Sequence, residues 1–295
     1  MQNASREGFL WGLAAYGWWG LVPIYFRWLG NDISPFHVLA HRIAWSLVFL
    51  GFILTATNRW PETIRCLKTP ALLLPLTASA LLVAYNWMMY VMCIYLQAIV
   101  QASLGYYLLP LMSIALGVLI FHERMRPLQK LAIVFAGAGV LLLTIEVGEA
   151  PWLALGIGIS FGIYGIVRKQ VPVDGLTGLA VETIVLMPLT LGYLAYSYVE
   201  RGELEDGYTL FQLSLSGVVT AVPLICFGQA ARRLPLAILG FMQYLAPTIQ
   251  FLLAVSFGER VRGGWWNYAL VWTALVIFSI DSYRWYAGQK EPRTE

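Results

Sequence analysis

A chain of 295 residues that is 59% hydrophobic and only 12% charged falls far below the roughly 25% of charged residues usual in a soluble domain, which excludes a water-soluble enzyme. Its net charge of +3 is too small to suggest nucleic acid as a partner; where the charges fall along the chain says more.

Apolar runs of about twenty residues, the length that crosses a bilayer, follow one another with short polar breaks. They predict spans over residues 8–28, 35–56, 71–92, 98–121, 127–145, 151–167, 176–198, 211–230, 236–257 and 264–286. The first run follows Arg6 and continues through Trp11, Trp18, Trp19 and Pro23 without a small-residue cleavage site, so it reads as a retained helix rather than a signal peptide. The longest breaks, near residues 57–70 and 199–210, are too short for a soluble domain of about 50 residues. Function therefore belongs to the bundle, with the lipid bilayer as its solvent. The abundant Trp and Tyr suit two membrane interfaces. Cys66, Cys93 and Cys226 form no CxxC or paired framework, so neither a disulfide nor a metal site is expected.

Cations fall mainly on alternate breaks. Arg6, Arg59, Arg65, Lys68, Arg124, Arg126, Lys130, Arg168, Lys169, Arg232, Arg233, Arg284, Lys290 and Arg293 share one side with both termini. Arg27, Arg201, Arg260 and Arg262 fall on the other, with the acidic Glu200, Glu203, Glu205 and Asp206. The positive-inside rule then places both termini in the cytoplasm.

An internal repeat has five spans per copy. Leu104-Gly105-Tyr106-Tyr107-Leu108-Leu109-Pro110 leads to Phe121-His122-Glu123-Arg124, and Gly240-Phe241-Met242-Gln243-Tyr244-Leu245-Ala246-Pro247 leads to Phe257-Gly258-Glu259-Arg260. Gly17-Trp18-Trp19-Gly20-Leu21-Val22 is answered by Gly162-Ile163-Tyr164-Gly165-Ile166-Val167. Because five is odd, the second copy enters the membrane from the opposite side. The expected fold is an all-α membrane protein of ten transmembrane helices in two inverted five-helix repeats, residues 1–147 and 148–295, which is a transporter architecture: two inverted copies can rock so that a central site opens alternately to each side.

The residues also resemble a known family. Pro23-Ile24-Tyr25-Phe26-Arg27, Leu39-Ala40-His41-Arg42-Ile43-Ala44-Trp45-Ser46, Asn86-Trp87, Ala102-Ser103-Leu104-Gly105-Tyr106, Ser160-Phe161-Gly162-Ile163-Tyr164-Gly165 and Ala231-Arg232-Arg233-Leu234-Pro235-Leu236 through Gln250-Phe251 occur in an order similar to that of the RarD-type EamA-domain transporters of the drug/metabolite transporter superfamily. The resemblance covers almost the whole chain. It implies two EamA repeats and a permease for drugs or metabolites in the bacterial cytoplasmic (inner) membrane. The chain departs from the pattern at His37 and Gln101, where Glu is frequent, and at Leu109, where Asn is frequent.

Intramembrane charges are the costliest choices, at about 2.5–3.5 kcal/mol each on insertion scales, so they normally face a cavity or a partner. Arg42, beside His41, lies in the second span, and Glu182 occupies the equivalent place in the seventh. Symmetry brings them to related heights, where they either pair with each other or contact substrate. Glu182 is the candidate for proton coupling, since a carboxyl held away from water can exchange a proton. Asp281, near the end of the tenth span, is expected to meet water or Arg284.

Pro110 and Pro247 are expected to interrupt corresponding spans and free the carbonyls of Tyr106 and Gln243. With Asn86 aligned on Pro223, these breaks mark pathway walls, because irregular backbone at membrane depth is tolerated where it lines a cavity. Trp18, Trp87, Tyr90, Tyr164 and Tyr244 stand near them and offer stacking surfaces, of which one or two are expected to serve a solute. Gly158, Gly162 and Gly165 have the spacing of a close helix seam.

No catalytic, phosphate-loop or metal-ligand motif stands in the chain, so no enzyme activity and no cofactor are expected. The expected partners are a small-molecule solute and the lipid bilayer, with proton coupling and a homodimeric assembly left open. The alternative is a lipid flippase or scramblase on the same scaffold.

Overall fold

Runs this apolar leave the backbone no water to bond, and helices satisfy every peptide group within the segment. The computed structural model describes residues 2–30, 33–95, 99–147, 152–201, 205–257 and 265–288, and these are helical almost throughout. The helices are α1 (Gln2–Leu29), α2 (Pro35–Ala56), α3 (Trp60–Lys68), α4 (Pro70–Tyr95), α5 (Ile99–Phe121), α6 (Pro127–Val147), α7 (Trp152–Gln170), α8 (Gly175–Arg201), α9 (Gly207–Arg233), α10 (Leu236–Gln243), α11 (Leu245–Ser256) and α12 (Trp265–Gly288). Gln101 and Cys93 have side chains outside the described set, as do Arg260, Arg262 and Glu259.

Local chemistry sets the boundaries. Pro35, Pro70 and Pro127 each open a helix, where the missing N–H is no loss. The Asp206 carboxylate accepts from the amides of Tyr208 and Thr209 to start α9. Asp174 does the same for α8 through Leu176 and Thr177.

Four helical stretches, Phe36–Ala56, Pro70–Tyr90, Gly175–Glu200 and Gly207–Arg233, are long and apolar enough to cross a membrane; Gly105–Phe121, Pro127–Leu142 and Ala269–Asp281 are shorter apolar stretches. Large apolar side chains stand on the surface, Phe52 73% exposed, Leu189 70% and Val199 80%, while Arg168 and Glu182 are each 1% exposed. Large apolar side chains turned outward and charges turned inward describe a multi-pass membrane protein.

Two expectations change. The break at 57–70 is not a plain loop: it holds the short amphipathic helix α3, which buries Thr63 and Cys66. The three proline breaks also differ among themselves. The ninth predicted run is two helices, α10 and α11, separated at Tyr244, with Pro247 in the first turn of α11. Pro110 and Pro223, by contrast, lie inside the unbroken α5 and α9. Loss of one backbone donor is the same in all three, so the packing around each helix decides whether it parts.

The packing pairs are α1 with α9 and α4 with α7, α2 with α9 and α4 with α8, and α1 with α11 and α5 with α7. The pairs α2–α8, α5–α10 and α6–α12 also pack extensively, with α8–α9 and others beside them. Helix α2 runs antiparallel to α8, since His37 meets Ser197 near the start of one and the end of the other, while Ile43 shares a cluster with Leu186. Where α2 meets α9 the backbones nearly touch: a Cβ on Gly217 would lie 2.4 Å from the carbonyl carbon of Trp45, so only glycine fits. The Gly158 and Gly162 faces meet Met112 and Leu116 of α5, and Gly165 faces Leu236 and Phe227.

Candidate functional site

Four helices, α2, α4, α8 and α9, border a small cavity of about 10 Å³, room for about one water. Trp87, Glu182 and Thr220 line it together with Ile43, Ser46, Val83, Leu179, Thr183 and Leu186. Its two charged neighbours are differently held.

The Arg42 guanidinium donates from Nε to Thr220 Oγ1 at 2.8 Å. Its carbon sits 5.0 Å from the centre of the Trp87 ring and 5.7 Å from that of Phe26, within reach of the attraction between a cation and an aromatic face. Tyr25, Tyr90 and Tyr106 are the ionisable groups around it, and the Tyr90 and Tyr106 rings meet edge to face at 5.7 Å. Among the described residues no carboxylate lies within ion-pair distance of Arg42.

Glu182 is enclosed instead by partners. Ser79 Oγ donates to its Oε1 at 2.5 Å and the Tyr164 hydroxyl to its Oε2 at 3.4 Å. Arg168 Nη1 stands 3.7 Å from Oε1, with both side chains 1% exposed. Arg168 is further held by the Asp174 carbonyl, which accepts from Nη2 at 3.2 Å. The slot for this guanidinium is cut by Gly178, one turn before Glu182: a Cβ there would fall 1.9 Å from Nη1.

Of the two alternatives for Arg42 and Glu182, pairing with each other or contact with substrate, the structure does not show the pair. Each is eight residues into its helix, but α2 and α8 start from opposite ends, so the two stand at different levels. Arg42 reaches across to α9, Glu182 to α4 and α7. Arg168, which falls in the sequence among the cations on the side of both termini, is a buried counter-ion. The signal that was missed is Gly178 four residues before Glu182, which leaves one helix face open.

The remaining residues separate clearly. Trp87 lines the cavity and Tyr90 and Tyr106 flank Arg42, whereas Tyr164 stacks on Phe227 at 5.7 Å while reaching Glu182. Asn86 is turned to α7, donating to the Ile157 carbonyl at 2.8 Å and to Ser160 at 3.1 Å. Gln243 accepts from Ser113 at 3.0 Å, joining α10 to α5. Tyr244 is fully buried in the cluster around Phe241 and Phe278, and Trp18 donates to the Val219 carbonyl on an exposed face. His41 points away from Arg42, its Nε2 3.1 Å from Nε2 of His37, which in turn lies 3.0 Å from Glu205. His37 and Glu205 had not been marked as site residues. Asp281, expected to meet water or Arg284, is paired with Arg126 at 2.5 Å.

At the end of the bundle where α8 begins, ion pairs cross between helices. Lys169 binds Glu123 at 2.6 Å, and the Glu123 carboxylate also caps α10, accepting from the amides of Leu236 and Ala237 at 2.8 Å each. Arg59 binds Asp174 at 3.0 Å.

Comparison with known proteins places this geometry. Residues 6–145 match the EamA-like transporter family. The chain is 40% identical over 284 residues to protein RarD of Salmonella typhi, covering 94% of this chain and 96% of that one. It is 38% identical over 284 residues to protein RarD of Escherichia coli, with coverage of 94% and 95%. It is also 38% identical over 289 residues to an uncharacterized transporter of Vibrio cholerae, with coverage of 96% and 95%. A crystal structure of a protein 17% identical shares the fold at a TM-score of 0.71 over 94% of this chain and 98% of the other. This chain belongs to the RarD-type EamA transporters of the drug/metabolite transporter superfamily, a family of membrane transporters.

Proposed function

We propose that this protein is a secondary transporter of the bacterial cytoplasmic membrane that moves a small organic solute by alternating access, with ten spans in two inverted repeats and both termini in the cytoplasm. The cavity between α2, α4, α8 and α9 carries this reading, because its walls come from both halves of the chain. The packing pairs support the repeat. Counting α10 and α11 as the two parts of one span and setting α3 aside, exchange of the first five spans with the last five turns α1–α9 into α7–α4, α2–α9 into α8–α4 and α1–α11 into α7–α5. The pairs α2–α8, α5–α10 and α6–α12 map onto themselves. A bundle with that symmetry has two equivalent ways to close.

Glu182 is the candidate for proton coupling, with Arg168 rather than Arg42 as the cation it must leave. A carboxylate parted from its counter-ion in a dry interior is a costly species, and a bound proton removes the cost.

The test compares metabolites inside and outside cells that lack the protein, cells that express it, and cells that express Glu182→Gln at matched membrane level. A small solute that follows wild-type expression, and not the variant, is the expected result. If no soluble metabolite moves but labelled lipid redistributes between leaflets, the flippase reading replaces this one. Normal proton-driven transport by the variant removes Glu182 from the coupling step.

A further inference from the structure

The ionised groups around the cavity do not balance. Glu182 and Arg168 neutralise each other, and Arg42 remains as a cation that, among the described residues, donates from Nε to Thr220 and meets no carboxylate. A guanidinium carries five N–H donors and stays charged in proteins. The terminal donors of Arg42 have neutral phenols and aromatic faces around them, not a carboxylate, among the described residues. An ionised group in the membrane interior is expensive without a partner, so this one is kept for a charge that comes and goes. We propose that Arg42 is the docking cation for the transported solute, and that the solute is a small organic monocarboxylate with an apolar, planar body. This deepens the transport reading above and rests on it.

The chemistry around Arg42 selects the class. A carboxylate accepts two parallel N–H bonds from a guanidinium, and one negative charge brings the cavity to neutrality. A phosphate dianion would leave one charge over, with the Glu182 carboxylate in the same wall opposing it. A cation would meet Arg42 directly. The small cavity beside the guanidinium is walled by Trp87, Val83, Ile43, Leu179 and Leu186, and when the helices part these offer an aromatic face and aliphatic carbon to the body of the solute. Thr220 and Trp87 fix the guanidinium from α9 and α4, so its fork is oriented before the solute arrives.

The test uses the full-length protein in lipid nanodiscs, with benzoate, phenylacetate and indoleacetate as probes and benzamide, benzylamine and phenyl phosphate as matched neutral, cationic and more highly charged controls. Binding is read from quenching of tryptophan fluorescence and from the rise in melting temperature. At least one carboxylate is expected to bind and its amide or amine counterpart not. Arg42→Gln is expected to weaken that binding by at least about tenfold, the scale of one charge-assisted bond. Arg42→Lys, which keeps the charge and loses the fork, is expected to retain the preference for carboxylates at lower affinity and guards against a folding defect in the first variant. Equal binding to wild type and Arg42→Gln overturns the proposal, and so does failure of every carboxylate to bind. In that event the transport reading still stands if some solute follows expression of the protein in cells, and falls as well if none does.

Discussion

Arg42 and Glu182 are each the eighth residue of a long apolar helix, yet one is left with aromatic neighbours while the other is tied to three polar side chains from α4 and α7. A like place in the helix does not carry a like role. The second half closes its charge internally through Arg168, in a slot opened by Gly178. In the first half no such counter-ion stands at Arg42 among the described residues, and its charge lies beside a cavity. A charge already paired is held until its partner moves away; one without a carboxylate beside it is available to a ligand.

The widest difference between the two positions is in stability. Glu182→Gln strands Arg168, which cannot shed its proton, and breaking one partner of a buried pair costs about 3–5 kcal/mol. Arg42→Gln removes one hydrogen bond and a ring contact from a site with no ion pair, a loss of about 1 kcal/mol. Thermal unfolding in nanodiscs should therefore show a large drop for Glu182→Gln, a small one for Arg42→Gln, and recovery of most of the drop in Glu182→Gln with Arg168→Gln. Equal drops for both single variants would break the contrast.

A smaller effect should come from the joint between α2 and α9. Gly217→Ala would place a methyl carbon against the Trp45 backbone, which cannot step aside as a flexible side chain would, and overpacking of this kind costs about 1–3 kcal/mol. Because Thr220 lies one turn along α9, the same shift would draw its hydroxyl away from Arg42. Melting temperature and carboxylate binding should then fall together in Gly217→Ala, whereas Gly17→Ala, with open space around it, should leave both near wild type.

Much of this was legible in the sequence, and the parts that were not share a cause. The membrane class, the family and the positions of the two intramembrane charges follow from composition, run length and motif order. Helix α3 was also there to be read: Pro61 and Glu62 open it and Arg65 and Lys68 close it, matching the helix dipole. What the chain did not announce is which residues face each other across helices. The partner of Glu182 depends on the level at which α7 ends, the placing of Asn86 on the rotation of α4, and the parting of α10 from α11, but not of α5 at Pro110, on what packs around each proline. Periodicity gives the face of a helix; it does not give the neighbour.

The last tie on Arg168 lies at the membrane edge and yields the smallest effect. Asp174 accepts from Arg168 through its carbonyl and from Arg59 and the start of α8 through its carboxylate. Burial pushes the Asp174 carboxyl up, but hydrogen bonds from Thr177 and Leu176 and the Arg59 guanidinium outweigh it and hold the group below its ordinary value of 3.8. A carboxyl held low in the folded state stabilises the fold above the unfolded value, and that contribution is lost as pH falls through the folded one. Asp174→Asn keeps a side chain able to cap α8 but loses the charge that Arg59 meets, a partly exposed pair worth about 1 kcal/mol or less. Unfolding followed from pH 7 downward should show the variant slightly less stable at neutral pH and the gap closing below about pH 4. Since Asn preserves the carbonyl that holds Arg168, the pair at Glu182 should survive; a drop as large as that of Glu182→Gln would instead mean that the charge at the membrane edge, and not the buried slot, keeps Arg168 in place.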